Sequence, residues 1–263
     1  MMVIDAHAHL FPDALAERAM AQLGAMYGVE PVRLPTLSGV LAEMQAHGIA
    51  RAAVLQVATK PEQVGPINTW ALELAGDPRL APFGALHAAQ SPDDLDAEVE
   101  RLLAGGIRGI KLQPYFQRFD PLTPEGLALL RRVGDRMVVL IHGGEEMIPV
   151  RPLWTTPQAL IRLHEAVPEV RLIVGHLGGY LLWEDALEHL AGRDVYFDIS
   201  FTLHKCPRDL ALRIIEKHGC DRIVWGSDFP WAAMDWSPIT QLGLSQDEVE
   251  AILGGNMTRL LGP

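Results

Sequence analysis

Short apolar runs alternate along the chain with stretches whose apolar positions recur every three or four residues, and Gly, Pro and Asp mark the changes of period. The short runs predict eight strands, at 3–9, 51–58, 80–87, 109–113, 137–142, 171–176, 195–200 and 222–228. The longer-period stretches predict eight helices, at 37–47, 62–75, 91–103, 124–133, 157–166, 180–190, 207–218 and 246–261. "SPDDLDAEVERLL" is typical: Ser91 caps, Pro92 occupies the first turn, and acids precede the apolar stripe. Residues 10–36 and 143–156 read as the longest irregular connections.

Strict alternation of strand and helix implies a parallel sheet buried by helices. Eight such units in one chain of this length predict an α/β fold of the (β/α)8 TIM-barrel type, as a single domain over 1–263. The competing open, doubly wound sheet would favour a glycine-rich phosphate turn after the first strand, and "HAHLFPDA" supplies none.

Composition narrows the classes of partner. The 263 residues are 49% hydrophobic and 21% charged, with no apolar run long enough to span a bilayer. Lys and Arg number 22 against 33 Asp and Glu, a net charge of −11 that repels polyphosphate backbones. Nucleic acid and membrane are therefore not expected as partners, and a small-molecule substrate is. Two cysteines, Cys206 and Cys220, make no disulfide scaffold, and the N-terminus has none of the marks of a secretory signal, so a cytoplasmic location is expected. Homo-oligomer formation is left open.

The candidate chemistry lies where apolar strands end. In a barrel of this kind, catalytic side chains project from the C-terminal strand ends. His7 and His9 end the first predicted strand, Lys111 lies in the fourth, His142 ends the fifth, His176 the sixth and Asp228 the eighth. His7 and His9 are two apart, so their imidazoles share a face, about 7 Å apart at Cα. A single buried histidine is more often a hydrogen-bonded core residue, but five such groups at one rim are costly to bury without a cation or a complete hydrogen-bond network. Zinc suits imidazole and carboxylate donors, with manganese and iron as alternatives, and a bound metal would activate water. Asp228 and His176 are the candidates for the accompanying base. Lys111 either reaches outward, pairs with a carboxylate, or bridges two metals as a carbamate, which would place His142 and His176 on the second ion.

Arg118 and Arg151 are candidate carboxylate clamps, and Phe11, Trp154, Phe229 and Trp231 candidate walls for a ring. His87 and His204, near strand exits, are candidate pocket residues. His47, His164, His189 and His218 fall on helices and read as solvated. Asp5 reads as a support for the histidines rather than a ligand.

The motifs "DAHAHLFP", "GIKLQP", "LIHGG", "GHLGG", "WGSDFPW" and "AILGGNMTRLLG" together resemble the amidohydrolase superfamily, within it the group of small metal-dependent hydrolases and decarboxylases that includes aminocarboxymuconate semialdehyde decarboxylase. The resemblance implies that His7, His9, His142 and Asp228 bind one metal while His176 orients or deprotonates its water. A two-metal pattern would add Lys111 and recruit His176. Gln113 departs from the group, whose members often carry His in "KLHP". The expected activity is metal-dependent hydrolysis of an ester, lactone or amide of a small, carboxylated substrate. Non-oxidative decarboxylation of an aromatic or unsaturated acid is the runner-up, and a non-catalytic protein stabilised by metal ranks last.

Overall fold

The computed structural model describes residues 1–262. Its strands are β1 (Ile4–His9), β2 (Arg51–Leu55), β3 (Leu80–Pro82), β4 (Gly84–Ala85), β5 (Gly109–Leu112), β6 (Val138–Ile141), β7 (Arg171–Val174), β8 (Tyr196–Asp198) and β9 (Ile223–Val224). Every pairing is parallel and between sequence neighbours, in the orders β1-β2-β3 and β4-β5-β6-β7-β8-β9. β3 and β4 are two halves of one run that Phe83 interrupts, with the Phe83 N–H donating to Val54 O at 2.9 Å. The run leaves β2 there and joins β5, so eight staves result.

The last stave returns to the first. Ala6 N–H donates to Trp225 O at 2.9 Å, Asp228 N–H to His7 O at 2.8 Å, and His9 N–H to Phe229 O at 2.7 Å. Gly226 permits this approach, since a Cβ there would stand 2.7 Å from His7 Cβ. The fold is the parallel α/β barrel that the alternation predicts.

Alternate strand positions feed two apolar layers. Ala52, Val54, Val139, Ile141, Leu172 and Val174 belong to the larger cluster under the helices. Ala53, Leu55, Phe83, Val138, Leu140 and Ile173 form the other. Val138 and Leu140 share parity with His142, so this second set fills the ring's interior beneath the site. Phe83 needs room there, and Gly109 gives it: a Cβ on Gly109 would lie 2.4 Å from the Phe83 ring.

Three expectations need correcting. The strands stop earlier than predicted: residues 56–58, 86–87, 175–176 and 225–228 have left the ladder. These are the segments that turn to aim side chains at the mouth, and both His176 (φ 61°) and Asp228 (φ 66°) sit in the left-handed region that non-glycine residues avoid. Within 10–36 lies a helix, Asp13–Tyr27, entered at Pro12 and closed by Gly28 at φ 67°. Its buried positions are Ala16, Met20 and Gly24, and two small residues out of three leave a faint apolar stripe. His218 is not solvated: it is fully buried and stacked on Phe197, with ring centroids 3.8 Å apart and planes 7° apart.

Candidate active site

β1 slips register against β2 between Asp5 and Ala8, an irregularity that re-aims the side chains at its end. Asp5 fixes the result. Its Oδ1 accepts from the backbone N–H of His7 (2.8 Å) and of Ser227 (3.0 Å), and its Oδ2 from the Ser227 hydroxyl (2.5 Å). One fully buried carboxyl thus ties the strand bearing His7 to the segment bearing Asp228. Burial, opposed by those hydrogen bonds, lifts its pKa to about 7.

His7 Nδ1 lies 2.9 Å from Asp198 Oδ2 and 3.0 Å from the Ser200 hydroxyl. Burial works against charge on Asp198, but the His7 imidazole and further hydrogen bonds overcome it and hold the carboxyl far below the usual range. An ionised carboxylate only accepts, so the His7 proton is on Nδ1 and its Nε2 lone pair faces the mouth. Burial, with Lys111 nearby, lowers the His7 pKa to about 4, so the ring is neutral at pH 7.

Asp228 Oδ1 stands 3.4 Å from His7 Nε2 and 3.3 Å from His9 Nε2, and the three donor atoms lie within 4.8 Å of one another. Burial opposes ionisation of Asp228, yet His7 and His9 keep its pKa well below the ordinary value. Two imidazoles and a carboxylate converging in this way fit a divalent ion.

His142, expected as a fourth ligand, lies outside that group and belongs to a second pairing, because its ring is held by the Glu145 carbonyl and faces His176. Its Nε2 lies 2.8 Å from the Glu145 carbonyl oxygen, and His176 Nδ1 lies 3.0 Å from the Ser200 carbonyl oxygen. Carbonyls accept only, so both facing nitrogens carry the proton. The remaining atoms, His142 Nδ1 and His176 Nε2, are 3.2 Å apart with a lone pair each. Such opposition is unfavourable unless a proton or cation lies between them. Lys111, 2% exposed, points inward with Nζ 3.2 Å from His7 Nε2, and burial lowers its pKa to about 8 against the pull of Asp198 and Asp228. All six strand-end residues singled out in the sequence line one cavity of about 710 Å³.

The expected substrate contacts divide. Phe11 and Trp231 line the cavity. Arg118 is exposed away from it, and Arg151 is exposed and paired with Glu145 at 2.9 and 3.0 Å. Among the described residues no arginine lines the cavity, so the carboxylate clamp is withdrawn: each arginine faces solvent, and Arg151 already has its counter-ion. Trp154 is half-buried elsewhere, Phe229 is in the core, and neither His87 nor His204 lines the cavity.

Four participants escaped the sequence reading. Asp198 and Ser200 alternate at the end of β8, and polar residues of one parity on an apolar strand were the available signal. Glu146 is 6% exposed with Oε1 3.4 Å from His142 Nε2, and burial raises its pKa to about 8. Tyr27 ends the helix Asp13–Tyr27 and reaches the same wall. Gln113, noted as a departure, keeps its Oε1 buried without a partner on that wall.

Solved structures share this architecture at low identity. An uncharacterised TIM-barrel protein from Bordetella bronchiseptica matches with TM-score 0.79 and 18% identity, covering 99% of this chain and 98% of its own. A 5-carboxyvanillate decarboxylase from Novosphingobium aromaticivorans, complexed with manganese, gives 0.75 and 14%, covering 99% and 96%. A dihydroxybenzoic acid decarboxylase from Polaromonas, with bound manganese, gives 0.72 and 17%, covering 99% and 96%. No curated protein matches the chain in sequence. The family model described as amidohydrolase matches residues 4–262, from the first residue of β1 to the end of the described chain, and the protein belongs to that family.

Proposed function

We propose that the protein is a metal-dependent, non-oxidative decarboxylase of an aromatic or unsaturated carboxylic acid. The observation that carries the reading is the distribution of charge in the cavity. Lys111 and the histidines are gathered on its floor, no arginine among the described residues lines it, and aromatic and aliphatic residues form most of the walls, with Gln113 and Glu146 on one side and Glu62 at the rim. An acid entering this cavity has one place for its carboxylate, beside Lys111 and the donors of His7, His9 and Asp228. Solved decarboxylases of the same fold, two of them holding manganese, favour this reading over the hydrolysis ranked first from sequence. Manganese likewise displaces zinc as the preferred ion, and its oxygen preference suits a site that also takes a substrate carboxylate.

His7, His9 and Asp228 would hold the ion, which when bound supplies Lewis-acid charge to fix the carboxylate and to stabilise negative charge developing on the substrate. The chain's own residues supply the rest. Asp198 keeps His7 in the tautomer that presents Nε2, and Asp5 holds the two ligand-bearing segments together. The bond from substrate carbon to carboxylate breaks, carbon dioxide leaves, and the electron pair left on carbon takes up a proton. In this reading His176 Nε2, whose lone pair is free while Nδ1–H stays on the Ser200 carbonyl, takes up a proton from solvent and passes it to that carbon, and Asp228 Oδ2, the oxygen not turned to His7 and His9, is the second carrier.

The test is manganese-loaded protein incubated with carboxyl-labelled hydroxybenzoates and, separately, with aryl esters and lactones. Labelled carbon dioxide without ester or lactone opening is expected; opening of a lactone or ester with no release of carbon dioxide would return the hydrolase reading. His176→Asn is expected to keep manganese affinity and lose turnover by about 100-fold or more.

A further inference from the structure

The cavity is larger than the chemistry on its floor requires. Cavities of roughly 300–1,000 Å³ serve drug-sized ligands, and this one, at about 710 Å³, extends outward between two helices, Asp13–Tyr27 and Val64–Leu74. The first contributes Leu15, Leu23 and Met26, and the second Ile67 and Trp70. None of these five is buried by the protein itself: Leu15 is 50% exposed, and the others are half-buried. Large apolar side chains left in this state around a concavity mark surface that a ligand covers. Polar lining residues on this side, Gln22, Thr59, Glu62 and Gln63, are all exposed and so belong to the rim.

We propose that this outer chamber is a specificity subsite for an uncharged apolar arm, an alkyl chain or second ring, carried by the substrate beyond its carboxylated end. The proposal rests on the decarboxylase reading for the position of the carboxylate. The chamber opens directly onto the floor, with Tyr27, Phe116 and Trp231 between them: the Tyr27 ring meets Trp231 edge to face at 5.3 Å and Phe116 at 6.4 Å. A second carboxylate in the arm would find no arginine and would approach Glu62.

Calorimetry on the full chain with manganese compares benzoate with 4-butylbenzoate and with biphenyl-4-carboxylate, and phenol with 4-butylphenol. At about 0.8 kcal/mol per buried methylene, the extended member of each pair is expected to bind tighter by about tenfold or more. Ala19→Phe and Leu23→Trp, which project bulk into the chamber from the first helix, are expected to bring each ratio to within about twofold. Either variant suffices if the other fails to fold, as checked by its melting curve. Equal affinities within both pairs, or a preference that survives in the folded variants, overturns the subsite. The neutral pair separates the two ideas: if benzoate binding is indifferent to manganese while 4-butylphenol still outbinds phenol, the decarboxylase reading fails and the apolar subsite stands.

Discussion

Two regions of this barrel bury histidine, to opposite ends. At the mouth, His7, His142 and His176 each have one ring nitrogen tied to a carboxylate or carbonyl and the other presented to shared space. In the layer between β8 and its helix, His218 is equally buried, stacks flat on Phe197 and accepts from the Gly192 N–H at 3.2 Å. Burial lowers both the His7 and the His218 pKa to about 4. Depth and pKa therefore do not distinguish a site from packing. What distinguishes them is what the free nitrogen faces: at the mouth, the Asp228 carboxylate, a lysine and opposed lone pairs; at His218, no partner for Nε2.

Truncation separates the two regions most widely. His7→Ala is expected to lower manganese affinity by more than about 100-fold in calorimetry, since an orienting partner alone is worth about 10–100-fold. His218→Ala is expected to leave that affinity unchanged and to cost about 2–4 kcal/mol in denaturant unfolding, the cost of a core cavity. Equal metal affinities in the two variants would erase the distinction.

Asp198→Asn probes the orientation of His7 without removing a ligand. Affinity for manganese is expected to fall by about 10–100-fold, with the melting curve little changed. Unchanged affinity would show that the His7 tautomer is not held by this bond.

The smallest effect is shared by both regions. A histidine whose folded pKa is depressed takes up its proton more readily when unfolded, so acidification favours unfolding. With folded values of about 4 and ordinary values of 6.5, these two groups lower stability as pH drops from 6.5 towards 4 and add no slope above 6.5, while the raised carboxyls of Asp5 and Glu146 slope the other way. Added manganese should steepen the fall for His7, where protons compete with the ion, while His218→Phe should flatten the metal-free slope. Unfolding curves across that pH range check both; a metal-free profile left unchanged by His218→Phe would contradict the burial of a neutral imidazole at that position.

The same contrast explains what was legible in the sequence. The period of apolar residues revealed the staves, and polar residues interrupting those runs revealed His7, His9, Lys111, His142, His176 and Asp228, because a strand end is a place where sequence order and spatial convergence coincide. Asp198 and Ser200 carried the same signal more faintly. Glu146 and Tyr27 come from a loop and a helix end, where no period predicts direction. Arg118 and Arg151 show the converse: residue type suited a clamp, but loop geometry pointed both to solvent. His218, on the helix Arg208–His218 and beside a glycine, looked like a surface residue because its partner Phe197 is 21 positions away and only the fold brings them together.

If convergence of donors and not burial as such makes a metal site, the mouth holds a divalent ion and the His218 layer holds none. Manganese-loaded crystals measured at the manganese absorption edge test it directly. An anomalous peak is expected among His7 Nε2, His9 Nε2 and Asp228 Oδ1, and none beside His218. A second peak between His142 and His176 beside a modified Lys111 would extend the site to two ions. An empty mouth in protein soaked at saturating manganese, or a peak only at surface carboxylates, would contradict it.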